Sequence, residues 1–152
     1  MMTTPFPKSI SDTHKYKRLL EVVDGSDTLV ILINADPDSM ASALAVKRIF
    51  WNKVRRALVF RINSINRADN LAFVKLLTVD QKHIRDLKRS VITKWALVDS
   101  QPHHHKLFMD LDYAIIIDHH PFNEPVTAAF LENDHQTYKV IIEDIRIDSQ
   151  RK

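Results

Sequence analysis

The chain predicts an α/β fold, a mostly parallel sheet flanked by helices on both faces. Short β-branched runs at Leu29–Ile33, Trp95–Val98 and Tyr113–Ile117 have the length and unbroken apolarity of strands buried on both sides. Segments of helical spacing stand between such runs, an alternation that requires crossover connections and therefore parallel strands. Each of the three runs also leads to a carboxylate: Asp36 and Asp38, then Asp99, then Asp118. Open α/β sheets bind ligands outside the carboxyl ends of their strands, so neighbouring runs would bring four acidic side chains to one crevice. Carboxylates that close repel one another, and divalent cations are the simplest partners for them.

Residues 1–10, with Pro5 and Pro7, read as a loose arm, and residues 11–152 as one domain. Tyr16, Leu19, Leu20 and Val23 follow helical spacing from Ser11, and Gly25 stands just past the end as a stop. The first strand is expected over Thr28–Asn34. Asp38 and Ser39 then offer N-caps for a helix carrying Met40, Ala43, Leu44, Val46 and Ile49 as far as Trp51 or Asn52. A second strand is expected at Ala57–Ile62, a helix at Arg67–Leu77 and a short helix at Gln81–Arg89. Strands follow at Lys94–Val98 and Tyr113–Ile117, separated by a loop holding Pro102 and His103, His104 and His105. Val126–Leu131 and Tyr138–Ile147 are strand-like.

Composition narrows the function classes. A single glycine, Gly25, against an average usage of about 7%, excludes glycine-rich phosphate loops, so phosphate chemistry must rest on metal, histidine or basic residues. The absence of cysteine excludes disulfides and thiolate metal sites and fits a reducing cytoplasm. No run approaches the roughly 18 apolar residues of a membrane span, and the first residues have no apolar signal region. A net charge of +3 is mildly basic and would help a polyanion approach.

Asp36-Pro37-Asp38 sets two carboxylates two residues apart in a turn, where each can face a different metal ion. Asp118-His119-His120 adds two imidazoles and a carboxylate directly after a strand, a donor mixture suited to manganese, iron or zinc. With Asn34-Ala35-Asp36-Pro37-Asp38-Ser39-Met40-Ala41-Ser42-Ala43-Leu44, Val98-Asp99-Ser100-Gln101-Pro102 and Ile117-Asp118-His119-His120-Pro121 in this order, the chain resembles the DHH family of phosphoesterases, whose catalytic domain is Rossmann-like. The resemblance spans Thr28 to Phe122. It is closest in pattern to members that degrade very short oligoribonucleotides and adenosine bisphosphate.

The resemblance implies a two-manganese site. Asp36 would bind one ion, Asp38 and His119 the second, and Asp99 would bridge both; Asp118 would orient the site, and His120 would face the substrate phosphate. Ser42 would hold Asp38 or permit close helix packing. Water acidified by the two cations would attack phosphorus in line, giving hydrolysis of short oligonucleotides or small nucleotides. The chain departs from the family at Leu32, where a histidine ligand is usual. It is also expected to stop short of a further aspartate ligand and of the family's second, substrate-binding domain. Those departures leave an alternative, a non-catalytic descendant that binds nucleotide or a protein partner. A Rossmann-like domain with incidental acidic strand ends is a third reading. An unfinished sheet edge after Lys152 would invite self-association into a homo-oligomer.

His103, His104 and His105 offer a replacement ligand or an exposed polar loop. Phe50, Trp51 and Trp95 at helical or strand spacing read as core or as stacking platforms. Lys47, Arg48, Lys53, Arg55 and Arg56 read as a solvated helix end or as ground that draws a polyanion.

Overall fold

The computed structural model describes residues 11–120 and 140–143. The most apolar run of the chain, Thr28–Ile33, forms the central strand β1, and all of its residues are buried. Around it lie β2 (Arg56–Arg61), β3 (Gln81–His83), β4 (Lys94–Val98), β5 (Tyr113–Asp118) and β6 (Val140–Glu143). They pair in the order β3-β2-β1-β4-β5-β6, every pair parallel. The chain therefore builds outward from β1 to one edge, returns beside β1 as β4, and builds outward to the other edge. The reversal lies between β1 and β4, where doubly wound sheets open a crevice at the carboxyl ends of the strands.

Because side chains alternate along a strand, β1 feeds two cores. Leu29, Ile31 and Ile33 pack with Leu19 of helix α1 (Asp12–Glu21), with Met40, Ala43 and Val46 of α2 (Pro37–Ile49), and against Phe73 and Val74 of α3 (Ala68–Leu77). Val30 and Leu32 face the opposite way, with Phe60, Leu97 and Ile116, beneath Phe108 of the one-turn helix α4 (Lys106–Met109). Both faces are covered, as two-sided apolarity demands, but unequally: full helices on one face, 3-10 turns at Ile84–Asp86 and Arg89–Val91 with α4 on the other.

Several boundaries differ from the sequence expectation. Asp36 caps α2, with Pro37 in the first helical position, so the helix begins earlier than a cap at Asp38 or Ser39 would place it. The helix ends at Ile49. Gln81–Arg89 is no continuous helix: Gln81–His83 pairs with β2 as an edge strand, because register with Val59–Arg61 supplies bonds that a short isolated helix would lack, and the helical part is the 3-10 turn Ile84–Asp86. The histidine loop is a 3-10 turn (Pro102–His104) running into α4. Phe50 is core, and Trp95 packs against the second cluster, whereas Trp51 is 63% exposed. The arm, the run Val126–Leu131, and most of Tyr138–Ile147 lie outside the described residues. No helix among the described residues is long and apolar enough to cross a membrane.

Side chains fix both ends of the central strands. At the amino end, Thr93 Oγ1 donates to Asp27 Oδ1 at 2.6 Å and accepts from the Thr28 amide at 2.9 Å, tying β4 to β1. The carboxyl end carries the functional candidates.

Candidate functional site

Asp36 is held before it is used. As N-cap of α2 it accepts from the Ser39 amide at 2.8 Å, while Ser39 Oγ accepts from the Asp36 amide at 3.0 Å and donates to the Asn34 carbonyl at 2.8 Å. Asn63, beyond the end of β2, clamps the same turn from the other side. Its amide oxygen accepts from Ala35 N–H at 2.7 Å, and its amide nitrogen donates to Ala35 C=O at 2.9 Å. A polar turn with its backbone groups satisfied in this way is rigid, and it presents Asp36 and Asp38 exposed at the rim.

Asp99 leaves β4 with φ 56°, a left-handed conformation that Asp tolerates better than most residues, and its amide donates to the Ile117 carbonyl at 2.8 Å. That bond extends the β4–β5 ladder by one step and places Asp99 beside the end of β5. There His119 Nε2 lies 2.8 Å from Asp99 Oδ1. One donor atom from each of Asp99, His119 and His120 falls within 4.8 Å of the others, close enough to share a cation. Asp36 and Asp38 lie outside this trio. Ser42 is half-buried on α2, and its side chain takes part in none of the hydrogen bonds that fix the rim among the described residues.

Beneath the trio runs a buried polar layer. The Asp118 side chain is fully buried; its Oδ1 lies 2.6 Å from His120 Nδ1 and its Oδ2 accepts from Gln101 Nε2 at 2.7 Å. Gln101, itself fully buried, also donates to the His120 carbonyl at 3.1 Å. Asp118 thus orients His120, and Gln101 locks the pair onto the turn after β4. His104 completes that turn: its Nδ1 accepts from the Gln101 amide at 3.1 Å and lies 3.1 Å from Ser100 Oγ. His105 Nδ1 accepts from the Leu107 amide at 3.1 Å, capping α4. Two of the three consecutive histidines therefore serve turns and caps, and the trio recruits none of them.

Electrostatics separate the roles of these groups. Burial, followed by repulsion from Asp36, pushes the Asp99 carboxyl above its ordinary 3.8, while the His119 ring pulls it back. Asp36, although outside the trio, therefore faces it closely enough to matter. The hydrogen bond to Asp118 raises His120 above the ordinary 6.5, against a smaller opposing effect of burial, and the charges of Asp118, Asp99 and Asp36 add to the rise. Burial lowers His104, which keeps it neutral and able to accept at Nδ1.

A histidine raised in the folded state contributes stability that is complete below 6.5 and is lost as pH rises through the folded value. Asp118→Asn is expected to remove most of that rise, so that the His120 ring protons, followed by NMR, titrate at lower pH than in the parent. An unchanged titration would show that Asp118 is not the group holding the proton.

Sequence reasoning named Asp36, Asp38, Ser42, Asp99, Asp118, His119 and His120, with Asp118 as an orienting residue, and missed the positioning roles of Ser39, Asn63 and Gln101. Ser39 was legible, standing three residues after a turn aspartate. Asn63 was not, since its partner is 28 residues away. Nothing local marks Gln101 as buried.

No family model matches the chain, and neither the curated proteins nor the solved structures yield a match.

Proposed function

We propose that this chain is a phosphoesterase domain of DHH type, using manganese to hydrolyse phosphodiester or phosphomonoester bonds in short oligonucleotides or small nucleotides of the cytoplasm. The observation that carries the reading is the trio Asp99, His119 and His120, gathered at the carboxyl ends of β4 and β5, next to the crevice where the strand order reverses, with Asp36 facing it. A carboxylate with two imidazoles is a donor set that manganese, iron or zinc accepts. Asp99 and His119 would hold the cation, with Asp36 and Asp38 approaching from the start of α2. A cation there supplies positive charge to a phosphoryl oxygen and acidifies water.

The remaining chemistry belongs to the chain. Asp99 Oδ1 and His119 Nε2 are hydrogen-bonded to each other, and that bond must open before both atoms can act as ligands. His120 is suited to a different task. Its raised pKa favours the protonated ring, which donates to a phosphate oxygen better than it ligates a metal. Asp118 and Gln101 keep that ring in place, so substrate meets it without a reorientation cost.

One observation favours a second reading, a non-catalytic domain that binds nucleotide. Leu32, where the family carries a histidine ligand, is fully buried among Phe60, Leu97 and Ile116, so this position supplies packing and no metal ligand. A single experiment separates the two. The chain is incubated with the dinucleotide pApA and millimolar manganese or with EDTA, and products and bound dinucleotide are both measured. Hydrolysis that requires manganese supports the phosphoesterase. Dinucleotide bound without turnover and without a manganese effect supports the binding domain.

A further inference from the structure

The molecule carries a second charged feature at the other end of the sheet. From Ser39 to Ala68 there is no acidic residue, while Lys47, Arg48, Lys53, Arg55, Arg56, Arg61 and Arg67 are all cationic. These seven charges exceed the net +3 of the whole chain, so the rest of the sequence is net negative and the basic charge is concentrated here. Five of the seven surround the junction of α2 and β2. The thirteen residues of α2 put about 20 Å between this junction and the acidic rim at its other end.

Helix-dipole compensation accounts for Lys47 and Arg48, which occupy the last turn of α2. It does not account for Lys53, Arg55 and Arg56, which lie beyond the helix and are exposed. None of the five is in an ion pair among the described residues. Between them lies a concavity of about 190 Å³, lined by Lys47, Trp51, Asn52, Arg55 and Arg56 among others.

Trp51 is the unusual member. It is 63% exposed, although its neighbour Phe50 is buried in the core. The turn that presents it is fixed: the Trp51 amide donates to the Arg48 carbonyl at 3.2 Å, the Lys53 amide to the Phe50 carbonyl at 2.9 Å, and Asn52 takes the left-handed conformation at φ 58°. The Arg48 guanidinium sits 6.0 Å from the indole centroid. A large exposed aromatic ring on a rigid turn, ringed by unpaired cations, is the combination that single-stranded nucleic acid requires. The ring stacks on a base of any identity, and the cations hold the phosphates on either side.

We infer that the α2–β2 junction is a binding site for single-stranded nucleic acid, with Trp51 stacking on a base and Lys47, Lys53, Arg55 and Arg56 contacting the backbone. An acidic peptide would satisfy the charge but leaves the ring without a stacking partner. The site is independent of the acidic rim and is testable without metal.

The test is fluorescence anisotropy of a labelled oligouridylate of about twelve nucleotides, within the usual range of single-strand site sizes, titrated with the full chain in EDTA at several salt concentrations. Binding that weakens with salt is expected. Trp51→Ala should lower affinity about tenfold, the scale of one lost stacked base, and Trp51→Phe should restore most of it. Lys53→Glu with Arg55→Glu should lower affinity further and flatten the salt dependence. Lys75→Glu with Lys88→Glu changes net charge equally and should have little effect; circular dichroism checks that each variant is folded. No binding at low salt, equal loss in the two charge-reversed variants, or an unchanged affinity in Trp51→Ala would overturn the inference. So would binding of phosphatidylserine vesicles through the same residues without binding of the oligonucleotide.

Discussion

If the proposed site binds manganese, the metal is expected to raise the melting temperature of the parent and Asp99→Asn to abolish that rise, while leaving the metal-free chain at least as stable as the parent. Asparagine accepts the left-handed backbone at φ 56° as readily as aspartate and keeps the amide bond to the Ile117 carbonyl, so the turn survives. The charge does not. Burial and Asp36 both raise the Asp99 carboxyl, and a carboxyl raised in the folded state contributes stability only while protonated. That contribution is complete below the ordinary 3.8 and is lost as pH rises through the folded value, so at neutral pH the ionised side chain is a burden that asparagine removes.

With the carboxylate gone, His119 is the one member of the trio assigned to the cation that is left to hold it, since His120 is turned to phosphate. A ligand at a hundred times its Kd stabilises a protein by about 2.7 kcal/mol, and for a chain of this size each kcal/mol moves the melting temperature by roughly 2–4 °C. The parent should therefore gain several degrees in saturating manganese, and Asp99→Asn none. Thermal scans with and without the metal decide it, and an undiminished shift in the variant would remove Asp99 from the site.

Gln101→Leu is expected to cost about 3 kcal/mol although the shapes are close. In the folded chain the Gln101 amide nitrogen serves the Asp118 carboxylate, inside the protein, and the His120 carbonyl, which is partly buried. Leucine leaves one oxygen of a fully buried carboxylate without its donor, and an unsatisfied buried charge is among the most costly defects a fold can carry. The melting temperature should fall by roughly 6–12 °C. The same change frees Asp118 and so loosens His120, which predicts a second readout: the His120 ring protons should broaden or shift while resonances of the α2 cap stay in place. A loss of stability with His120 unchanged would make Gln101 a packing residue only.

These two residues divide cleanly by how they could be found. Asp99 announces itself as a carboxylate at the end of an apolar run, as do Asp36 and Asp118, and the alternation of strands and helices placed all three on one edge of a parallel sheet. That much follows from hydrophobic periodicity, which depends on neighbours a few residues apart. Gln101 carries no such signal. Its burial depends on β5 standing beside β4, a pairing of residues 17 apart in the chain for the Gln101–Asp118 bond. The short helix expected at Gln81–Arg89 failed for the same reason, since a three-residue strand exists only because β2 offers it a ladder.

The amino-acid sequence by itself determined the α/β class, the order of the main elements and the acidic identity of the rim, because each is written in local spacing. Tertiary structure decided which of those groups meet. Asp99, His119 and His120 converge while Asp36 and Asp38 stay outside the trio, and a register shift between β4 and β5 at Trp95/Ala96 sets how the end of β5 meets the turn after β4. One extra residue there lets Ala114 and Ile115 both join the helix-covered core, which reverses the alternation for the rest of β5 and sets the face on which Asp118 meets Gln101. A strand's side chains alternate with a period of two, so a one-residue shift exchanges its faces. No local pattern encodes that choice; it is made by the partner strand.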